Sequence, residues 1–118
     1  MIYMLMIYSD EADWAPKSPQ ELIPTLRAHK VLEDEMRAAG TFRGGGGLAL
    51  TESATTVRFR RGKPTIMDGP FAETKEQFGG FYLVEADSID QAVAYAQRIL
   101  GVANRAIEVR LVTHFSPP

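Results

Sequence analysis

One histidine on an apolar helix stripe is the clearest candidate for acid–base chemistry. His29 falls on the stripe of leucine and methionine that runs from Leu22 to Met36 at about 100° per residue. An imidazole with an ordinary pKa of about 6.5 can accept a proton at neutral pH. Two interpretations stay open: a general base facing a pocket, or a structural histidine with hydrogen-bonded nitrogens. Glu33, one turn later, either orients this ring or is simply solvated.

Asp68 is the second candidate, because it opens the turn Asp68-Gly69-Pro70. An aspartate in this position usually shapes the turn by accepting backbone N–H groups. The functional alternative is an acid or an orienting carboxylate at the mouth of a pocket. A pair made of His29 and Asp68 would supply both the base and its partner for proton transfer.

The residues around this turn are candidate ligand contacts. Phe71 is either a plug in the core or a surface on which a substrate stacks. Glu73 and Lys75 either pair locally on an exposed turn or line the rim of a polar pocket. Arg58 belongs to a basic group on a predicted hairpin, where it either meets an anionic ligand or is solvated.

Composition excludes several other classes of site. The 118 residues include no cysteine and two histidines, so thiol catalysis is excluded and a metal centre is not expected. The Gly44–Gly47 run lacks the Lys-Ser/Thr of a phosphate-binding loop, and no other cofactor motif occurs, so we expect no cofactor. A net charge of −2 argues against binding to nucleic acid or an anionic membrane surface. No apolar run approaches the roughly 18 residues of a membrane span, so a cytoplasmic protein is expected.

The pattern of elements predicts a single domain over residues 1–118. An apolar strand comes first, then a helix from the capping box at Ser18 to Gly40, in which Pro24 predicts a kink or a later start. A glycine-rich strand, a hairpin and a further strand follow. A second helix ending at Gly101 and a last alternating strand complete the chain.

Without the hairpin, the order is β-α-β-β-α-β, which predicts a ferredoxin-like α+β fold with an inserted β-hairpin. In this fold both helices cover one face of the sheet. The first strand, Met1–Tyr8, is apolar on both faces. We therefore expect a second copy to cover the open face and form a homodimer.

The string Asp68–Glu76, DGPFAETKE, followed by GG-F-Y at 79–82, resembles the DGPF-type proteins of the YCII-related family. The segment around His29 is similar to the helix-borne histidine of the wider YCII group. The resemblance implies a dimeric α+β barrel. It also implies a His–Asp active site, since such a pair is proposed for YCII-like members linked to dehydrochlorination of a chlorinated aromatic ring. DGPF-type proteins are further associated with extracytoplasmic-function sigma factors.

Two hypotheses follow. The first is a small dimeric protein that binds or transforms a small molecule by cofactor-independent elimination or isomerisation. In that case His29 is the base and Asp68 is the orienting or acid group. The alternative is a non-catalytic signalling or interaction protein associated with an extracytoplasmic-function sigma factor.

Overall fold

The first strand, β1 (Ile2–Ser9), lies inside a four-stranded sheet, as its continuous apolar run predicts. The computed structural model describes residues 1–100 and 106–118. Within these residues every neighbouring pair of strands in this sheet is antiparallel. The strand order is β2 (Phe42–Gly47), β5 (Gln77–Glu85), β1 and β6 (Ala106–Val112).

Two helices, α1 (Pro19–Ala38) and α2 (Ile89–Leu100), pack on one face of this sheet. The core combines the inward side chains of β1 with buried residues of both helices: Tyr3, Leu5, Ile7, Leu32, Met36, Ala92 and Ile99. Setting the hairpin aside, the element order is βαββαβ with the first and third strands adjacent. This confirms the predicted α+β fold with a ferredoxin-like strand order.

The ends of α1 follow the predicted signals. Ser18 accepts a hydrogen bond from the backbone of Glu21, whose carboxylate accepts one from the backbone of Ser18. Gly40, with φ of 74°, ends the helix in the left-handed region. The helix is continuous through Pro24, so the predicted later start is wrong; the proline removes only one internal hydrogen bond. The predicted stop of the second helix at Gly101 lies outside the described residues.

The inserted hairpin forms a two-stranded sheet of its own. It consists of β3 (Thr55–Arg60) and β4 (Lys63–Asp68). Arg61 and Gly62, with φ of 50° and 77°, make the two-residue turn. The turn contains no third residue, because Lys63 already pairs with Arg60.

The glycine run forms the edge strand β2, as the sequence predicts, and the pairing of this strand contains one irregularity. The register against β5 shifts between Phe42 and Gly44. At Gly45 a Cβ would lie 2.9 Å from the carbonyl oxygen of Phe81. The absence of a side chain there lets the two backbones approach closely.

The sheet face opposite the helices carries a second set of apolar side chains. They alternate with the core residues of β1 and β5 and are only half-buried: Ile2, Met4, Met6, Phe81 and Leu83. Among the described residues no helix lies on this side of the core cluster. The open apolar face that the homodimer prediction requires is therefore present.

Candidate functional site

A cavity of about 570 Å³ lies between α1, β2, β5 and the loop that follows β1. His29 from α1 and Tyr82 from β5 both line it. Tyr82 shares with the buried residues Gly80 and Val84 the face of β5 that meets the helices. The sheet and the helix thus place one polar side chain each at the same cavity.

These two side chains are in direct contact. The Nδ1 atom of His29 lies 2.8 Å from the phenolic oxygen of Tyr82. Their rings are close to parallel, with centroids 6.0 Å apart and an interplanar angle of 27°. The hydroxyl satisfies one nitrogen of the imidazole, so Nε2 is the nitrogen left for a ligand.

Burial keeps both groups neutral. It lowers the pKa of His29 below its usual value of 6.5, because desolvation penalises the imidazolium. Burial, with a smaller contribution from the negative charge of Glu33, raises the pKa of Tyr82 to about 12. At neutral pH the contact is therefore an uncharged imidazole hydrogen-bonded to an uncharged phenol.

The direction of this hydrogen bond decides what His29 can do. If Nδ1–H donates to Tyr82, Nε2 carries a lone pair and can accept a proton. If the phenol donates to Nδ1, Nε2 carries the hydrogen and can only donate. The same pair can thus present either a base or a hydrogen-bond donor to the cavity.

Glu33 lies one turn beyond His29 and also lines the cavity. Its carboxylate accepts a hydrogen bond from Nε of Arg37 at 3.2 Å. The Arg37 guanidinium also lies 4.3 Å from the ring centroid of Phe42. These contacts fix Glu33 at the side of the His29–Tyr82 pair, where its charge favours the neutral phenol.

The loop that closes the other side of the cavity is tied to the sheet by Glu11. Its two carboxylate oxygens accept hydrogen bonds from the backbone N–H and the hydroxyl of Thr51, both at 2.8 Å. Its own backbone N–H donates to the side-chain oxygen of Gln77 at 2.9 Å. Trp14 and Lys17 follow in this loop and line the cavity, so the tether positions an aromatic ring and a cation.

The rest of the lining is largely apolar. Leu22 and Leu26 of α1 contribute hydrocarbon surface, while Gly45–Gly47 contribute bare backbone. At Gly47 a Cβ would meet nothing within 4 Å, in contrast to Gly45. The cavity thus combines apolar walls with a few polar groups, which is typical of a site for a small organic molecule.

Of the six predicted site residues, only His29 lines this cavity. Asp68 is exposed at the end of β4, opposite Thr55. Glu73 and Lys75 are exposed in the segment between β4 and β5. The structure therefore does not bring Asp68 and His29 to one pocket within a single chain.

The structure does bring Arg58 and Phe71 together. The Arg58 guanidinium lies 4.6 Å from the ring centroid of Phe71 and donates to its carbonyl oxygen at 3.2 Å. Phe71 is 72% exposed, so the interpretation of it as a core plug is wrong. The reason is that Phe71 follows β4 and its ring packs against Arg58 of β3 at the surface.

Sequence reasoning missed Tyr82, Trp14 and Gln77. The signal for Tyr82 was present in the alternation of β5, which predicts that residues 80, 82 and 84 point inward. A tyrosine hydroxyl on an inward face requires a hydrogen-bond partner. His29, on the core-facing stripe of the adjacent helix, is that partner.

The described residues show neither a metal-binding cluster nor a membrane-spanning helix. Residues 1–100 and 106–118 contain no group of three or more His, Cys, Asp or Glu side chains that could hold a metal ion. In the same ranges, neither helix combines the length and the apolar character needed to cross a bilayer.

Comparison with known proteins places the chain in a family. Residues 1–116 match the model of the YCII-related domain. The chain is also 36% identical over 120 residues to an uncharacterized protein of Rhizobium meliloti (strain 1021), an alignment that covers 99% of this chain and 96% of the relative. The chain therefore belongs to the YCII-related family.

Proposed function

We propose that this protein binds a small organic molecule in the His29–Tyr82 cavity and acts on it by cofactor-independent proton transfer. The observation that carries the proposal is the 2.8 Å contact between His29 and Tyr82 at the wall of a 570 Å³ cavity. Burial keeps His29 neutral, which is the state a general base needs. The base is the tautomer in which Nδ1–H donates to Tyr82, because this tautomer leaves the lone pair on Nε2.

The chemistry is of the elimination or isomerisation type. Nε2 of His29 removes a proton from a carbon of the ligand, and the apolar walls keep water from competing for it. The imidazolium then returns the proton to another atom, or a leaving group departs with its electron pair. Asp68 is proposed as the orienting or acid group. Because Asp68 does not line the cavity of its own chain, this role requires the Asp68 of a second copy.

A second copy is proposed on the open face of the sheet. The half-buried apolar side chains of β1 and β5 form one continuous surface there, and two-fold packing of two such faces buries both without new elements. Light scattering at micromolar concentration is expected to give twice the mass of the chain. A monomer at that concentration contradicts this part of the proposal.

The proposed function is tested by a small-molecule library in a thermal-shift screen of three proteins: wild type, His29→Ala and His114→Ala. His114 is exposed near the end of the chain and serves as the control. Compounds that stabilise wild type and His114→Ala, but not His29→Ala, identify ligands of the cavity. A hit list that is unchanged in a folded His29→Ala protein overturns the proposal.

The Asp68 role has a separate test. Asp68→Asn keeps the shape and most of the hydrogen bonding of the turn. If Asp68 only shapes the turn, the variant retains turnover of any substrate found by the screen; if Asp68 orients or protonates, turnover falls while the melting temperature is kept.

The alternative is a non-catalytic interaction protein that works with an extracytoplasmic-function sigma factor. One observation favours an interaction role: the hairpin exposes apolar side chains, with Phe59 and Ile66 each 75% exposed. The identity of that partner rests on the family resemblance. Under this alternative the chain is a monomer with a free hairpin, and the screen yields no ligand that depends on His29.

A further inference from the structure

We propose that the hairpin formed by β3 and β4, here called the hairpin arm (residues 55–68), lies across the cavity of a second copy of this chain. Each cavity is then built from two chains, with His29 and Tyr82 from one and the arm from the other. The inference rests on the proposed homodimer, but it does not depend on the proposed chemistry.

One face of the arm is apolar and uncovered. The register pairs Val57 with Ile66 and Phe59 with Pro64, so these four side chains share one face. All of them are exposed. An isolated two-stranded hairpin is marginally stable in water unless an apolar face packs against something. The arm therefore needs a surface to cover this face.

The single chain has a larger solvent-accessible surface than a compact monomer of its mass. Its accessible surface is 8132 Å², whereas a compact monomer of this mass exposes about 6,400 Å². The excess of about 1,700 Å² is larger than the roughly 800 Å² that each partner buries in a standard interface. The radius of gyration agrees, since it is 15.9 Å and a compact chain of this length has about 13.5 Å.

The arm and the rest of the chain carry opposite net charge. Residues 55–68 hold four cations, Arg58, Arg60, Arg61 and Lys63, and one carboxylate, Asp68. This leaves nine Lys and Arg against fourteen Asp and Glu elsewhere. A second copy thus offers an acidic body to a basic arm. At the cavity itself, Glu11, Asp13 and Glu33 outnumber the single cation Lys17 among the charged lining residues.

The arm also carries Asp68, which its own chain keeps away from His29. Asp68 lies two residues after Ile66 and four after Pro64 along β4, so it shares the apolar face, at the root of the arm. Arg58 alternates with Val57 and Phe59 along β3, so it lies on the opposite face, where its guanidinium stacks on Phe71. Docking of this face on a partner brings a carboxylate toward the partner's cavity. Because a two-fold interface is reciprocal, both cavities are completed in the same way.

The test uses disulfide formation between two differently substituted chains, in a protein that has no cysteine of its own. One chain carries Ile66→Cys in the arm. The other carries Leu26→Cys, at an exposed position that lines the cavity, and a tag that makes its mass distinct. The matched control replaces Leu26→Cys with Val31→Cys, which is on the same helix but does not line the cavity; the two side chains are 63% and 57% exposed.

The mixed covalent dimer is expected in high yield with Leu26→Cys and at about one tenth of that yield with Val31→Cys, because a disulfide requires Cα atoms within about 7 Å. Equal yields with the two partners, or no mixed product with Leu26→Cys, overturn the proposal. All three positions are exposed, so the substitutions leave the core intact.

A second measurement covers the wild-type protein. Phe59→Ser combined with Ile66→Ser is expected to shift the wild-type dimer toward monomer in light scattering, whereas Val31→Ser leaves the dimer unchanged. If the combined arm substitutions leave the dimer mass unchanged in light scattering, the arm placement is overturned. The proposals of a sheet interface and of a ligand in the His29 cavity are not affected by that result. A monomeric wild type overturns the placement and favours the interaction-protein alternative.

Discussion

The Nδ1 atom of His29 and the phenolic oxygen of Tyr82, 53 residues apart in the chain, lie 2.8 Å from each other. One belongs to the helix layer and the other to the sheet. The contact therefore satisfies two polar groups at the boundary between the layers and at the same time orients the imidazole toward the cavity.

Tyr82→Phe is expected to lower the free energy of unfolding by about 1 kcal/mol, because it leaves Nδ1 of a half-buried histidine without its partner. Tyr3→Phe is the matched control: Tyr3 is also buried, but its hydroxyl donates to the sulfur of Met1, a weak acceptor, at 4.0 Å. Urea denaturation measures both. A cost no larger for Tyr82→Phe than for Tyr3→Phe contradicts the importance of the contact.

The lowered pKa of His29 predicts how stability depends on pH. The unfolded chain takes up a proton at its ordinary pKa of 6.5, whereas the folded protein does so at lower pH. Stability from this group is therefore complete above pH 6.5 and declines as the pH falls below it, until the folded protein is also protonated. His29→Gln should remove this part of the pH dependence and His114→Gln should not, as thermal melts between pH 7.5 and pH 5 measure. Identical profiles for the two variants contradict the prediction.

Gly45→Val is expected to destabilise the protein by about 1–3 kcal/mol, because the added side chain meets the carbonyl oxygen of Phe81. Gly47→Val, two residues along the same strand, is the control, since its Cβ has open space. Melting temperatures distinguish the two. Equal shifts would show that β-strand propensity, and not close backbone approach, governs this strand.

Glu11→Gln is expected to loosen the loop that holds Trp14, because the amide keeps one acceptor oxygen and its NH2 group cannot accept the second of the two hydrogen bonds from Thr51. Trp14 is the one tryptophan of the chain, so its fluorescence reports on the loop directly. We expect a red shift of the emission, and none for Glu52→Gln at an exposed position nearby. An unchanged spectrum in Glu11→Gln would show that other contacts hold the loop.

The elements could be predicted from the sequence because their signals are local. The capping box at Ser18, the left-handed stop at Gly40 and the apolar run of β1 each specify their own structure. The position of His29 on the core-facing stripe was also accessible, since helical periodicity fixes the face of the helix.

The composition of the site was less predictable, because it depends on which strand lies opposite which helix turn. Tyr82 was visible as an inward residue, but its distance from His29 follows from tertiary packing. Asp68 and Phe71 belong to the motif that suggests a site. Asp68 ends β4 of the separate hairpin sheet and Phe71 follows it, and no local signal indicates where such a sheet points.

Since β3 and β4 pair only with each other in the described sheets, the length of this hairpin can change without a change in the main sheet. Because these strands pair with each other, removing two residues from each shortens the projection by about 7 Å and preserves which side chains share a face. Removing a single residue from each strand instead exchanges the two faces. Insertions and deletions in this segment can therefore tune the reach of the hairpin in steps of two residues, without changing the register of the main sheet.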